Sequence, residues 1–526
     1  MTVLSNKFRP AATGRFAIHQ TAKQKNELLV VTVLAVAFGV YRTVHLGQDT
    51  NWDWQNYHDY DVLALFHGRG GIDVAPAGIQ TFLNPLPYIP FYLLRHFLPP
   101  MFGGAMVGAM QALNLPLAWL LLRRLLPDSS WFAMTGAMVI SASGAMTLSE
   151  IGTSFADLLT AIPVVIGIVL LLPQGPRRPE TVLIAGIFIG AAVGLKLTNA
   201  AFAVGALAMI LCGERRLRLA AWFGLDGASG ALLTGGAWSI YLWQEFQNPL
   251  FPFYNAIFHS AAGPAWNAPR VVPYRYPQGV IDALSYPFRW VVAGNSTAEA
   301  TFRDARFAVL GVLAAIGLCA AAWRRRWVLS RRETEFCVFF SVSFLLWMLV
   351  FSIQRYLIVL EILCGPLFAV LFYRAAPARA RNLIIGVLAL GLALWVKPGD
   401  WGHRPWTNAF DRIALPEAMQ TPGTYLLVDK PVAYAVRSFP AESRFYQLAD
   451  SDLPILTGAP FDQRIRGGLA HPLPGGIWVM RINGHPMPAD LLGRYDLEVD
   501  NARPCLTLAG AGPDLEFCLL RHSQSR

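Results

Sequence analysis

Apolar residues in this chain are gathered into blocks too long to be the buried stripe of a soluble helix, and that arrangement constrains the fold most. The blocks fall at residues 28–46, 102–122, 131–148, 157–173, 181–195, 198–212, 219–241, 307–322, 335–352, 356–373 and 382–396. A helix of about 20 apolar residues spans the ~30 Å hydrocarbon core of a bilayer. The pattern therefore predicts an all-α polytopic membrane bundle of about eleven transmembrane helices. Charged residues make up only 14% of the chain, against about 25% in soluble domains, too few to cover a water-soluble body.

The formal charge of +10 does not point to nucleic acid, because its placement follows topology. Lys7, Arg9, Arg15, Lys23 and Lys25 precede the first block, and Arg123 and Arg124 follow the second. Arg177 and Arg178, then Arg215, Arg216 and Arg218, follow the fourth and sixth. Arg324, Arg325, Arg326, Arg331 and Arg332 follow the eighth, and Arg374, Arg379 and Arg381 the tenth. Basic clusters in alternate gaps mark the cytoplasmic side, provided that residues 181–212 cross twice. The polar break Leu195-Lys196-Leu197-Thr198-Asn199 supplies the turn that this requires. The N-terminus, 1–27, is then inside, and the membrane domain is 28–396. Outside lie two long loops, 47–101 and 242–306, and a soluble tail, 397–526. No small-residue cleavage site follows the basic N-terminal stretch, so a removed signal peptide is not expected.

The tail changes character at Lys397-Pro398-Gly399-Asp400, beyond which short β-like runs alternate with Pro and Gly turns, as in a small α/β domain. Cys505 and Cys518 flank a turn-rich stretch there and suit either a disulfide in an oxidising compartment or two free thiols. The other four cysteines, Cys212, Cys319, Cys337 and Cys364, fall in or beside apolar blocks and read as packing residues.

Candidate chemistry collects at the outer ends of the helices. The first loop opens with Asp49, Asp53, His58, Asp59 and Asp61 among Trp52, Trp54, Tyr57 and Tyr60. Aromatic residues belong at a membrane interface, whereas acidic groups near hydrocarbon are costly and are suited to general-base work; a solvated acidic loop is the plainer alternative. Residues 73–88, Pro-punctuated and amphipathic, read as short interfacial helices. Between the third and fourth blocks, Glu150 and Asp157 flank a short hydroxyl-bearing turn, suited to a divalent cation with a phosphate. Helix capping is the reading favoured for Asp157, with Glu150 left open. Lys196 and Arg355 are the only cations in their short outer turns, where a lipid phosphate or an internal salt bridge to Asp157 or Glu361 would use them. Arg275 and Arg289 in the second long loop are further phosphate candidates, and a solvated face is the alternative for both. No P-loop, Rossmann fingerprint, His/Cys metal spacing or GxSxG is present, which leaves nucleotide-driven transport and redox chemistry without support.

A basic N-terminus, one membrane helix, an acidic aromatic outer loop, the Gln354-Arg355-Tyr356-Leu357 start of the tenth block and an outer tail resemble the GT-C superfamily of polyprenyl-phosphate-sugar-dependent glycosyltransferases. The likeness is nearest to protein mannosyltransferases, aminoarabinose transferases and lipid-linked mannosyltransferases. It implies an inverting transfer at the outer face of the bacterial cytoplasmic membrane, from a polyprenyl-phosphate-linked sugar to a lipid or glycan acceptor among the membrane lipids. It implies Asp53 as base, with Asp49 and Asp59 as rivals, and Glu150 and Asp157 as a second acidic motif. The chain lacks a compact Asp-Asp or Asp-Glu pair in the first loop. Competing expectations are a lipid-linked sugar or polysaccharide translocase, an O-antigen ligase or polymerase, and an envelope-assembly scaffold.

Overall fold

The computed structural model describes residues 22–174, 177–213, 216–265, 276–324, 329–409 and 413–523. Its first helix, α1 (Ala22–Leu46), leads into the long loop that carries β1 (Gln48–Asp49), α2 (Asp59–His67) and α3 (Ile89–Phe97). The bundle continues with α4 (Pro100–Gln111), α5 (Asn114–Leu125), α6 (Trp131–Ala142), α7 (Ala145–Glu150), α8 (Asp157–Leu171), α9 (Pro179–Leu195), α10 (Ala200–Leu211) and α11 (Arg216–Phe246). The second long loop holds α12 (Asn255–Phe258) and α13 (Val280–Arg289), and α14 (Arg306–Arg324), α15 (Arg331–Val350), α16 (Ile358–Ala375) and α17 (Ala378–Trp395) close the bundle.

Every apolar block is helical, but the helices differ in length. Among the described residues, five are long and apolar enough to cross a bilayer: Lys23–Leu46, Pro100–Leu125, Arg306–Trp323, Arg331–Val350 and Gln354–Ala375. Four apolar helices are shorter: Trp131–Ala142, Asp157–Leu171, Pro179–Leu195 and Leu197–Leu211. The chain is a multi-pass membrane protein, and helix length alone does not fix eleven crossings. Lys196 interrupts the block 181–212 in extended conformation, so α9 and α10 are separate helices joined by a single 3-10 turn.

Close approach of α9 and α11 rests on glycine. Gly186, Gly190 and Gly194 recur every fourth residue on α9, and a Cβ on Gly190 would lie 1.9 Å from the Gly227 carbonyl oxygen. Small residues let helix backbones touch in an environment where the hydrophobic effect does not drive them together. Gly190→Leu is expected to force them apart at a cost of roughly 1–3 kcal/mol or more, read as a lower thermal midpoint in detergent. Gly224→Leu, where an added Cβ meets nothing within 4 Å, is the matched control and leaves the midpoint unchanged.

The tail folds as a mixed sheet. Parallel β3 (Thr424–Leu427), β4 (Arg444–Gln447) and β5 (Ile477–Ile482) adjoin antiparallel β6 (Leu497–Val499), β7 (Leu506–Leu508) and β8 (Leu515–His522), in the order β4-β3-β5-β8-β6 with β7 also on β8. Helices α18 (Pro460–Ala470) and α19 (Ala489–Gly493) complete it. Cys505 and Cys518 are disulfide-bonded, one step beyond the Leu506–Phe517 pair of β7 and β8.

The tail does not pack alone. Strand β2 (His403–Arg404) pairs with β1, and Val74 adds a parallel bridge beside Tyr446 at the sheet edge. Trp54, Tyr57 and Tyr88 of the first loop share one apolar core with Tyr425, Phe445 and Phe517 of the tail. Arg69 pairs with Asp73 and donates to the Ala441 and Ser443 carbonyls. Loop and tail thus pack together as one cap on one end of the bundle.

Candidate functional site

Asp53 introduces the first loop's short π-helical turn, Trp54–His58, at the junction of bundle and cap. Its Oδ2 accepts from Arg355 Nη1 at 2.5 Å and from the Tyr57 hydroxyl at 3.2 Å. Tyr57 is buried, and burial, with Asp53 beside it, pushes its phenol well above the ordinary range, so the hydroxyl remains a donor. Arg355 precedes α16 by one 3-10 turn, and its guanidinium lies over the Phe155 and Tyr356 rings, 4.9 and 5.4 Å from their centroids. Lys196 Nζ lies 4.8 Å from the same Tyr356 ring and 2.6 Å from Asp157 Oδ1. Tyr356 is therefore flanked by two cations, each paired with a carboxylate, and both pairs keep a little solvent access.

Glu150 has no such partner. It is fully buried, and neither carboxylate oxygen has a hydrogen-bond partner. Burial first, and the Asp157 charge second, push its carboxyl well above the ordinary range, which favours the neutral acid. A buried network seats the other end of its helix. Glu361 accepts from the Met146 and Thr147 amides of α7 at 3.1 and 2.7 Å, and Asp304, paired with Arg306, accepts from Ala145 N at 3.2 Å. Carboxylates at a helix N-terminus satisfy its orphan donors.

The other first-loop acids are occupied. Asp49, offered by the sequence as a rival base, accepts from Asn51 N and Nδ2 at 3.1 and 2.8 Å and from Ser154 N at 2.9 Å, and serves as a loop brace. Asp59, the other rival, is buried against Arg437 at 3.0 Å and ties α2 to the cap. His58, a first-loop candidate for substrate contact, is internal: its Nδ1 meets Ser154 Oγ at 2.8 Å and its ring stacks on Tyr88 at 4.1 Å. Burial, with Lys196 and Arg355 nearby, pushes its imidazole well below the ordinary range, so the ring is neutral. Asp157 does not cap α8. Ala156 holds the cap position, and the lysine 2.6 Å away takes the carboxylate instead. Arg289 pairs with Asp282 on its own helix, and Arg275 lies outside the described residues.

Sequence reasoning missed Tyr57 and Tyr356, although Tyr57 stands four residues after Asp53, the helical spacing for one face. It also gave Arg355 no carboxylate in the first loop. Among the described residues, one group of three metal-ligating side chains converges, and its Cys505 and Cys518 are spent on the disulfide. The arrangement presents a half-buried carboxylate for a proton and two cations for an anion, all at one end of the bundle.

Comparison with known proteins gives a family and a fold. Residues 82–352 match the sequence signature of glycosyltransferase family 87. Among solved structures, the crystal structure of ArnT from Cupriavidus metallidurans bound to undecaprenyl phosphate is similar, with a TM-score of 0.55 and 10% identity. That likeness covers 94% of this chain and 98% of that one. No curated protein matches.

Proposed function

The chain belongs to glycosyltransferase family 87, and we propose that it moves a sugar from a polyprenyl phosphate to an acceptor hydroxyl at the capped end of the bundle. That end is assigned to the outer face of the bacterial cytoplasmic membrane, with the basic clusters inside. The observation that carries the reading is the Asp53 carboxylate held by Arg355 and Tyr57, with Lys196 across the Tyr356 ring. The undecaprenyl phosphate of the ArnT crystal structure, which shares this fold, supports the donor class.

In the proposed reaction the acceptor oxygen attacks the anomeric carbon and its proton passes to Asp53. The bond from that carbon to the phosphate oxygen breaks, and the electron pair leaves with the polyprenyl phosphate. Arg355 and Lys196 neutralise the charge that develops there, exchanging carboxylate partners for phosphate oxygens. A single displacement of this kind inverts the anomeric centre. The disulfide in the cap agrees with an oxidising compartment on that side.

A deletion strain is expected to accumulate one polyprenyl-phosphate sugar and to lose one envelope glycoconjugate, both restored by the intact gene and seen by mass spectrometry of extracted lipids. An unchanged lipid-linked pool in the deletion strain refutes the assignment. A translocase would leave the same pool on the cytoplasmic side, but transporters place such charged groups near the bilayer midplane, between repeated halves, rather than at one interface.

A further inference from the structure

Beside the catalytic cluster, a separate cleft of about 350 Å³ opens where three bodies meet: the first loop, the last turns of α11 and helix α18 of the cap. Its size falls within the range of small-molecule sites, roughly 300–1,000 Å³. Tyr60, Phe82, Trp238, Tyr241, Phe246 and Phe461 wall it. The wall is well pinned. Trp238 Nε1 donates to the Phe82 carbonyl at 2.9 Å, and Asn84 Nδ2 donates to the Gly194 and Thr234 carbonyls at 2.8 and 3.0 Å.

The charges around the cleft balance one another, which suits a neutral guest. Asp73 is paired with Arg69 and accepts from the Tyr60 hydroxyl at 2.9 Å. Arg464 spends its guanidinium on the Gly70 and Asp73 carbonyls at 2.9 and 3.4 Å. Glu245 and Arg464, of opposite charge, are what remain at the wall, so a phosphate gains no net counter-charge here, and the Glu245 carboxylate is an acceptor for hydroxyls. Flat aromatic faces with a hydroxyl acceptor at the rim suit a neutral sugar ring. The neighbouring surface is lipid-like: Leu65 and Phe66 on α2, and Ile240 and Trp243 on α11, are 39%, 49%, 60% and 48% exposed. An occupant at this depth therefore carries its sugar on an apolar anchor.

The cleft also adjoins the chemistry. Tyr60 follows Tyr57, the partner of Asp53, by one helical turn, and Asn84 grips the chain two residues before Lys196. The wall residues Pro85 and Leu86 lead directly to Tyr88, on which His58 stacks.

We propose that this cleft binds the sugar headgroup of a membrane-borne glycolipid, the acceptor of the transfer reaction, an assignment that rests on the function proposed above. Gly71 provides the test, because it lines the cleft and a Cβ there meets nothing within 4 Å, so a larger side chain fills space without a clash. The full chain is placed in phosphatidylethanolamine–phosphatidylglycerol nanodiscs and photolabelled with an octyl β-glucoside that carries a diazirine in its chain. Label is expected on the peptides around Tyr60–Leu65 and Trp238–Phe246, and Gly71→Leu is expected to reduce it by roughly tenfold. With a glycolipid acceptor, Gly71→Leu raises KM by a similar factor and leaves transfer of the donor sugar to water unchanged. Labelling insensitive to Gly71→Leu overturns the proposal, as does labelling of the same peptides by a diazirine-bearing polyprenyl phosphate. Asp53→Asn keeps the photolabel while transfer stops, which separates binding in the cleft from the chemistry. A wild-type chain that binds the glucoside here but transfers from no polyprenyl donor overturns both the function and the acceptor role of the cleft.

Discussion

Asp53→Asn is expected to reduce sugar transfer by about 10³-fold, the scale of a lost general base. Asparagine keeps the size of the side chain and an oxygen for the Tyr57 hydroxyl, so the turn at Trp54–His58 is retained. What it loses is the ability to take a proton, and with it the charge opposite Arg355. Donor binding therefore does not weaken, because Arg355 no longer has to leave a carboxylate before meeting a phosphate. The expected pattern is a collapsed kcat, an unchanged or smaller donor Kd and an unchanged thermal midpoint, measured on purified protein. Turnover within a few-fold of wild type removes Asp53 from the reaction.

Arg355→Met is expected to fail in the complementary way. A hydrogen bond to a charged group contributes ~1.5–3 kcal/mol, so loss of this one weakens donor binding by roughly 10–150-fold. Loss of charge stabilisation in the transition state lowers kcat by a further 10²-fold or so. Arg355→Lys restores the charge but not the planar fork that lies over Phe155 and Tyr356, and is expected to recover only part of each. Donor titration and initial rates on the same preparations separate the two effects. A variant with wild-type donor affinity means that the phosphate is held elsewhere.

Much of this was legible in the sequence, because the bilayer imposes a length scale that any reader can count. The apolar blocks correspond to helices, and the break at Lys196 to the turn between α9 and α10. Asp53, Lys196 and Arg355 were each visible as charges in unusual places, but their pairings were not. Asp53 and Arg355 stand 302 residues apart, and nothing local in either segment encodes the contact. For the same reason Asp49 and Asp59 stayed rivals to Asp53. Their partners, Ser154 and Arg437, come from distant segments that the sequence does not align with the first loop. The β-like runs of the tail were legible but their union with the first loop was not, since a shared core of Trp54, Tyr57, Tyr425 and Phe517 is a tertiary fact. Pro and Gly punctuation in residues 73–88 marked short helices without showing that they wall a cleft.

The most direct test supplies purified protein in nanodiscs with a panel of radiolabelled polyprenyl-phosphate sugars and, in parallel, the matching nucleotide sugars. Label is expected to leave one polyprenyl donor, for water or for a glycolipid acceptor, and none of the nucleotides. Transfer from a nucleotide sugar, or none from any polyprenyl phosphate, contradicts the account.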